Sequence, residues 1–138
     1  MTPKEYLKQA RCLDVRINNK LEQLESLNAL AQKATSALNG MPRQFGRPNS
    51  GMADIIAKIV DLQEEIDKDI DRLIDLKRDV LTAVNAVERL EYRLVLESRY
   101  LHFRTWQEIA DTLGCNIRHI YRLHDAALKE LKIPSSCH

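Results

Sequence analysis

The sequence predicts an all-α protein: a long antiparallel helical hairpin of coiled-coil character, followed by a helix-turn-helix domain. Three observations predict this. Of 138 residues 44% are hydrophobic and 30% charged, yet only 5% are aromatic, with 4 Gly and 4 Pro. What remains is Leu, Ile, Val, Ala and long charged side chains, a mixture that favours helix over sheet. Apolar residues recur every three or four positions through two long stretches, and the last third holds two short capped helical patterns around a glycine turn.

The first helix is expected at about 3–38. Thr2 and Glu5 form a Thr-x-x-Glu capping box, and Pro3 fits the first helical position. Ala10, Leu13, Ile17, Leu21, Leu24, Leu27, Ala31, Ala34 and Leu38 then trace one stripe, close to a heptad seam, with Gly40 placed to stop it. Residues 39–51 hold three of the four glycines and two of the four prolines, and read as a flexible connecting loop. A second helix is expected at about 52–86, its apolar side running through Ile55, Ile59, Leu62, Ile66, Ile70, Leu73, Leu76, Val80, Val84 and Val87. Two such helices paired alone leave apolar surface over, so residues 1–86 are expected to form a homodimer or to bind another partner. The second helix also carries a row of carboxylates from Asp61 to Asp79. No glycine-containing calcium loop surrounds them, so they read as a solvated face.

Residues 87–133 form the expected second domain, with 134–138 as a tail. Thr105 and Glu108 make another capping box ahead of Trp106, Ile109, Ala110 and Leu113, which share one face. Gly114 suits the left-handed end of that helix, and Asn116 caps a further one in which Ile120, Leu123, Ala127, Leu128 and Leu131 point inward. The outward side of its first turns then offers Arg118, His119, Tyr121 and Arg122. Arginine bonds a guanine edge with two hydrogen bonds or clamps phosphate, tyrosine touches thymine methyl or phosphate, and a helix N-terminus attracts phosphate. Helix 116–132 is therefore expected to read a DNA major groove. Arg118 and Arg122 would contact base edges, Tyr121 and His119 would support them, and Arg104, Lys129 or Lys132 would hold phosphate.

Charge is unevenly spread. Residues 1–51 carry eight Lys/Arg against four Asp/Glu, residues 52–92 six against eleven, and residues 93–138 seven against five, which returns the net +1. No whole-chain basic field exists, so nucleic-acid binding must come from a local patch.

Residues 88–131 resemble region 4 of bacterial sigma factors, which reads the −35 promoter element. The matching text is Leu94-Val-Leu-Glu-Ser-Arg-Tyr100, Trp106-Gln-Glu-Ile-Ala110, Leu113-Gly114 and Ile120-Tyr-Arg-Leu-His-Asp-Ala-Ala-Leu-Lys-Glu-Leu131. The resemblance implies DNA contacts at Asn116, Arg118, Tyr121 and Arg122, with Ile117 and His119 beside them. The whole chain is also similar to small phage and prophage proteins, through Lys4-Glu-Tyr-Leu-Lys-Gln-Ala10, Lys33-Ala-Thr-Ser36, Met41-Pro42 and Ile56-Ala-Lys-Ile-Val-Asp61. Their C-terminal halves resemble late-gene regulators of the autolysin-regulatory and RinA type. This implies a phage-encoded transcriptional regulator that activates late genes, working on double-stranded DNA in the cytoplasm of a bacterial host. The alternative is a protein that acts on host RNA polymerase or its sigma factor through protein contacts, with Leu123, Leu128 and nearby surface as the contact.

Other classes find little support. No apolar run approaches the ~20 residues that span a bilayer, so no membrane partner is expected. The three cysteines Cys12, Cys115 and Cys137 are far apart and offer no disulfide framework. Cys115, His119, His124, Cys137 and His138 lack zinc-ligand spacing. Neither a phosphate-binding glycine loop nor a nucleophile with an oxyanion hole is apparent, so no enzyme activity and no cofactor are expected.

Overall fold

The computed structural model describes residues 1–40 and 48–133, with side chains described at 1–35 and 51–133. Every regular element there is helical: α1 (Pro3–Gly40), α2 (Pro48–Asn85), α3 (Leu90–Leu96) continued by a π-helical turn (Glu97–Leu101), α4 (Trp106–Leu113) and α5 (Ile117–Glu130). The capping box at the start of α1 forms as expected. Thr2 Oγ1 accepts from the Glu5 amide at 3.1 Å, and Glu5 Oε2 accepts from the Thr2 amide at 3.1 Å. At 38 residues each, α1 and α2 extend about 57 Å.

Both long helices overrun their expected inner ends. α1 continues to Gly40 instead of about 38, and α2 begins at Pro48 instead of 52. Proline tolerates a first helical position because its missing N–H would have no intrahelical acceptor there. Much of the loop expected at 39–51, like the tail 134–138, lies outside the described residues.

The chain divides into two compact units, one of Met1–Asp14 with Arg72–His138 and one of Val15–Asp71. In the first unit, Tyr6 and Leu7 from α1 share a core with Val80, Val84 and Val87 beside α3–α5. Val95, Leu96, Ile109, Ile120 and Ala127 complete its fully buried centre. Its short helices are held by packing more than by intrinsic propensity, as seven- and eight-residue helices must be.

In the second unit, Ile17, Leu62 and Ile66 are buried. Here the expected apolar stripe of α2 slips by one residue. Ile70 is 37% exposed, while Asp69 is 5% exposed. The Asp69 carboxylate is matched across the helices by Lys20, whose Nζ lies 2.6 Å from Oδ2, with Arg16 Nε at 3.7 Å.

Candidate nucleic-acid interface

The site lies wholly within the first unit and begins at the link after α3. The π-helical turn closes with the His102 amide donating to the Glu97 carbonyl at 3.1 Å, and the Arg104 amide reaches back to Ser98 at 3.0 Å. Phe103 takes φ +56, a left-handed conformation that costs a non-glycine residue energy, and Lys77 stands over its ring at 4.8 Å. This bend turns Tyr100 into the core, 3% exposed, and leads directly into Thr105.

Thr105 caps α4 reciprocally with Glu108. The Glu108 amide donates to Thr105 Oγ1 at 3.1 Å and the Thr105 amide donates to Glu108 Oε1 at 3.1 Å. These bonds hold the Glu108 carboxyl below the usual carboxylate range. Gly114 ends α4 at φ +68. The Cys115 amide then bonds the Ala110 carbonyl at 3.0 Å, satisfying a helix-end acceptor. Asn116 Oδ1 accepts from the His119 amide at 3.0 Å and starts α5. The polypeptide thus passes from one helix to the next in three residues, each end fixed by its own hydrogen bonds.

α5 divides cleanly into an inner and an outer side. Ile120, Leu123, His124 and Ala127 are buried, while Arg118, His119, Tyr121, Arg122, Asp125 and Lys129 are exposed. Arg118, Arg122, Asp125 and Lys129 follow at steps of four, three and four, which places them along one ridge. Among the described residues no ion pair engages Arg118 or Arg122. Both guanidinium groups face solvent with their donors free for an external acceptor.

An aromatic cluster supports the neighbouring face. Trp106, half-buried against the core, meets Tyr121 edge-on at 5.4 Å and His124 edge-on at 4.7 Å. The Arg99 guanidinium lies over the Trp106 ring at 4.4 Å and donates to the Arg104 carbonyl at 2.9 Å. Beneath, the Tyr100 hydroxyl lies 2.6 Å from His124 Nε2. Burial pushes the Tyr100 phenol up to about 12 and holds the His124 imidazole below its usual value, the latter against the opposing pull of Asp125. A proton on Nδ1, facing Asp125 Oδ1 at 3.7 Å, leaves Nε2 to accept from Tyr100; this tautomer is assigned from the bonding pattern.

The residues expected from sequence are not equivalent in place. Arg118, Tyr121, Arg122 and His119 come together on the first turns of α5. Asn116 is exposed, but its side-chain oxygen is committed to the cap. Ile117 is half-buried and leans on the core. Arg104 is exposed in the link before α4. Lys129 stands at the far end of α5, where it lines an open depression of about 380 Å³ with Ala86, Val87, Glu88, Glu130 and Lys132. Leu123 is buried and Leu128 packs against the core. Asp125 on the ridge and Arg99 on Trp106 were not among the expected site residues. Asp125 was legible, seven positions after Arg118; Arg99 was not, because the π-helical turn changes the facing of everything around it.

Residues 43–132 match the family described as "Protein of unknown function (DUF1492)". The chain belongs to this family. The DUF1492 match takes in all of α2 and α3–α5 and therefore the whole turn and ridge just described, whereas α1 precedes it. No curated protein and no solved structure matches the chain.

Proposed function

We propose that this DUF1492 protein is a sequence-specific DNA-binding transcriptional regulator. α4, the Gly114 turn and α5 act as a helix-turn-helix, and α5 enters the major groove. The observation that carries this reading is the pair Arg118 and Arg122, exposed on one ridge of a capped helix with no acidic partner among the described residues. Guanidinium groups so placed offer paired donors to a guanine edge, each good pair contributing about 1–3 kcal/mol of base discrimination. Tyr121, braced by Trp106, would lie beside them, and Arg104 and Lys129 would contact phosphate on either side. Asp125 within the ridge would disfavour phosphate there and confine the close approach to the first two turns of α5.

Binding by one such module is weak, and pairing two copies multiplies it. α1 and α2 supply the means: within the second unit Ile56, Val60 and Ile70 are 51%, 46% and 37% exposed. They lie on one side of α2 and would seat a second copy. Assignment to phage or prophage genes, and to activation of late genes, rests on the resemblance to sigma region 4 and to late-gene regulators.

The test is selection of bound duplexes from fragmented phage and host DNA by the full chain, followed by footprinting. A discrete site bound by the parent and lost in Arg118→Ala and Arg122→Ala, at unchanged helicity, supports the reading. Unchanged site choice by both variants refutes it.

A further inference from the structure

The positive surface of the first unit does not end with α5. Lys4, Lys8 and Arg11 are exposed on α1 at steps of four and three, so they share one side of that helix. The remaining face holds Tyr6, Leu7, Ala10 and Leu13, all buried, with Leu7 bordering the row. The helix is thus fixed in rotation with its three cations outward. Its beginning is also fixed, by the Thr2–Glu5 box.

Tyr6 and Leu7, on this first part of α1, enter the same core against which Trp106 packs. Arg99, fixed over Trp106 and bonded to the Arg104 carbonyl, has its proton affinity lowered by burial and then by the charge of Arg11, with Tyr121 opposing. The charge of Lys4 likewise bears on the buried His124, whose ring lies against Trp106. Cations of α1, of the π-helical turn and of α5 are thus carried on elements that share one core, with Arg99 against Trp106 among them. Among the described residues no ion pair neutralises Lys4, Lys8, Arg11 or Arg99. Like charges gathered at a surface repel unless an anion joins them.

We infer that Lys4, Lys8 and Arg11 of α1, together with Arg99, form a phosphate-binding flank that holds the sugar–phosphate backbone of a duplex while α5 occupies its groove. This rests on the proposed reading of α5 as a DNA-contacting helix. It adds a second element, outside the region of the family match, that contributes affinity without sequence choice. A regular row of cations at helical spacing fits a repeating polyanion, whereas base reading would require side chains that enter the groove.

The experiment is titration of a short random-sequence duplex with the full chain, between ~50 and ~200 mM salt. Each phosphate contact adds about 0.9 to the slope of log affinity against log salt. The triple variant K4Q/K8Q/R11Q is expected to lower that slope by about 2–3, to bind more weakly at low salt, and to rank selected duplexes as the parent does. Lys58→Gln, which removes one exposed charge from the second unit, serves as the control for loss of a cation elsewhere and is expected to change nothing. A parent slope retained by the triple variant overturns the α1 flank and leaves the α5 reading standing. Changed ranking in the triple variant also overturns it, because these residues would then read bases. Failure of the parent to retain any duplex overturns both.

Discussion

The phenol of Tyr100 and the imidazole of His124 meet at 2.6 Å inside the core of the first unit, with His124 only 4% exposed. Burial keeps both groups neutral: the phenol is pushed up to about 12, and the imidazole is held below its usual value. A histidine that resists protonation in the fold, but titrates near pH 6.5 when unfolded, adds stability in full above that pH. Below it the unfolded chain takes up the proton first, and stability falls as pH drops through the lowered folded value. The melting temperature of the full chain, followed by circular dichroism, should decrease from pH 7.5 toward pH 5. His124→Gln should flatten that decrease. An equally steep fall in His124→Gln would refute the assignment to His124.

Removing only the bond should cost stability at neutral pH as well. His124→Phe keeps an aromatic ring beside Trp106 but leaves the Tyr100 hydroxyl buried without its partner. A loss of about 1–3 kcal/mol is expected, and Tyr100→Phe in the same background should restore part of it. Urea midpoints read both effects. If the double variant is no better than His124→Phe, the hydroxyl is not the source of the loss.

The Lys20–Asp69 pair makes a separate prediction in the second unit. Lys20 and Asp69 side chains are only 13% and 7% exposed, so truncating one leaves a charge in a poorly solvated place. Asp69→Ala should destabilise by about 3–5 kcal/mol. The apolar double replacement K20M/D69L should recover most of this, because a buried pair repays its desolvation only in part. Denaturant titration of the full chain measures both, and a fully additive double variant would show that the two groups are uncoupled.

Gly114 tests the turn. Its φ of +68 is unfavourable for a side chain, yet a Cβ there meets no atom within 4 Å. The cost of Gly114→Ala is therefore backbone strain alone, about 1–2 kcal/mol. Gly114→Asn should lose less, since asparagine tolerates the left-handed region. Equal losses in thermal melts would point to something other than this dihedral.

Much of this architecture could be read from the letters. Capping pairs Thr2–Glu5 and Thr105–Glu108, the Gly114 stop and the Asn116 cap are local events, decided by residues three apart. What escaped needed contacts from elsewhere in the chain. An apolar stripe counted by letters favours Ile70 over Asp69, and only Lys20, distant in sequence, makes the carboxylate the better buried residue. His124 falls on the inward period of α5, four residues after Ile120, but its polar side chain gives no sign of burial until Tyr100 arrives as its partner, and Tyr100 arrives by a π-helical turn that has no spacing signature. Of the candidate site, the arginines and Tyr121 were visible because they lie on one helix. Arg99, Lys4 and Arg11 were not, because their neighbourhood is assembled from separate elements.

Trp106, the single tryptophan of the chain, can report on both the buried histidine and the proposed DNA contact. Its ring lies 4.7 Å from His124, 5.4 Å from Tyr121 and 4.4 Å beneath the Arg99 guanidinium. A protonated imidazole quenches an excited indole, so emission should fall on acidification with a midpoint below the ordinary histidine value of about 6.5, the direction set by the burial of His124. In His124→Gln that step should vanish. A duplex docked along α5 would press on Tyr121 and draw Arg99 toward phosphate, changing the emission in proportion to bound duplex. Arg99→Ala should remove the cation over the ring, weaken duplex binding at low salt and leave the His124 step in place. An emission unaffected by saturating duplex, in a chain that demonstrably binds it, would place the nucleic acid away from the Trp106–Tyr121 face.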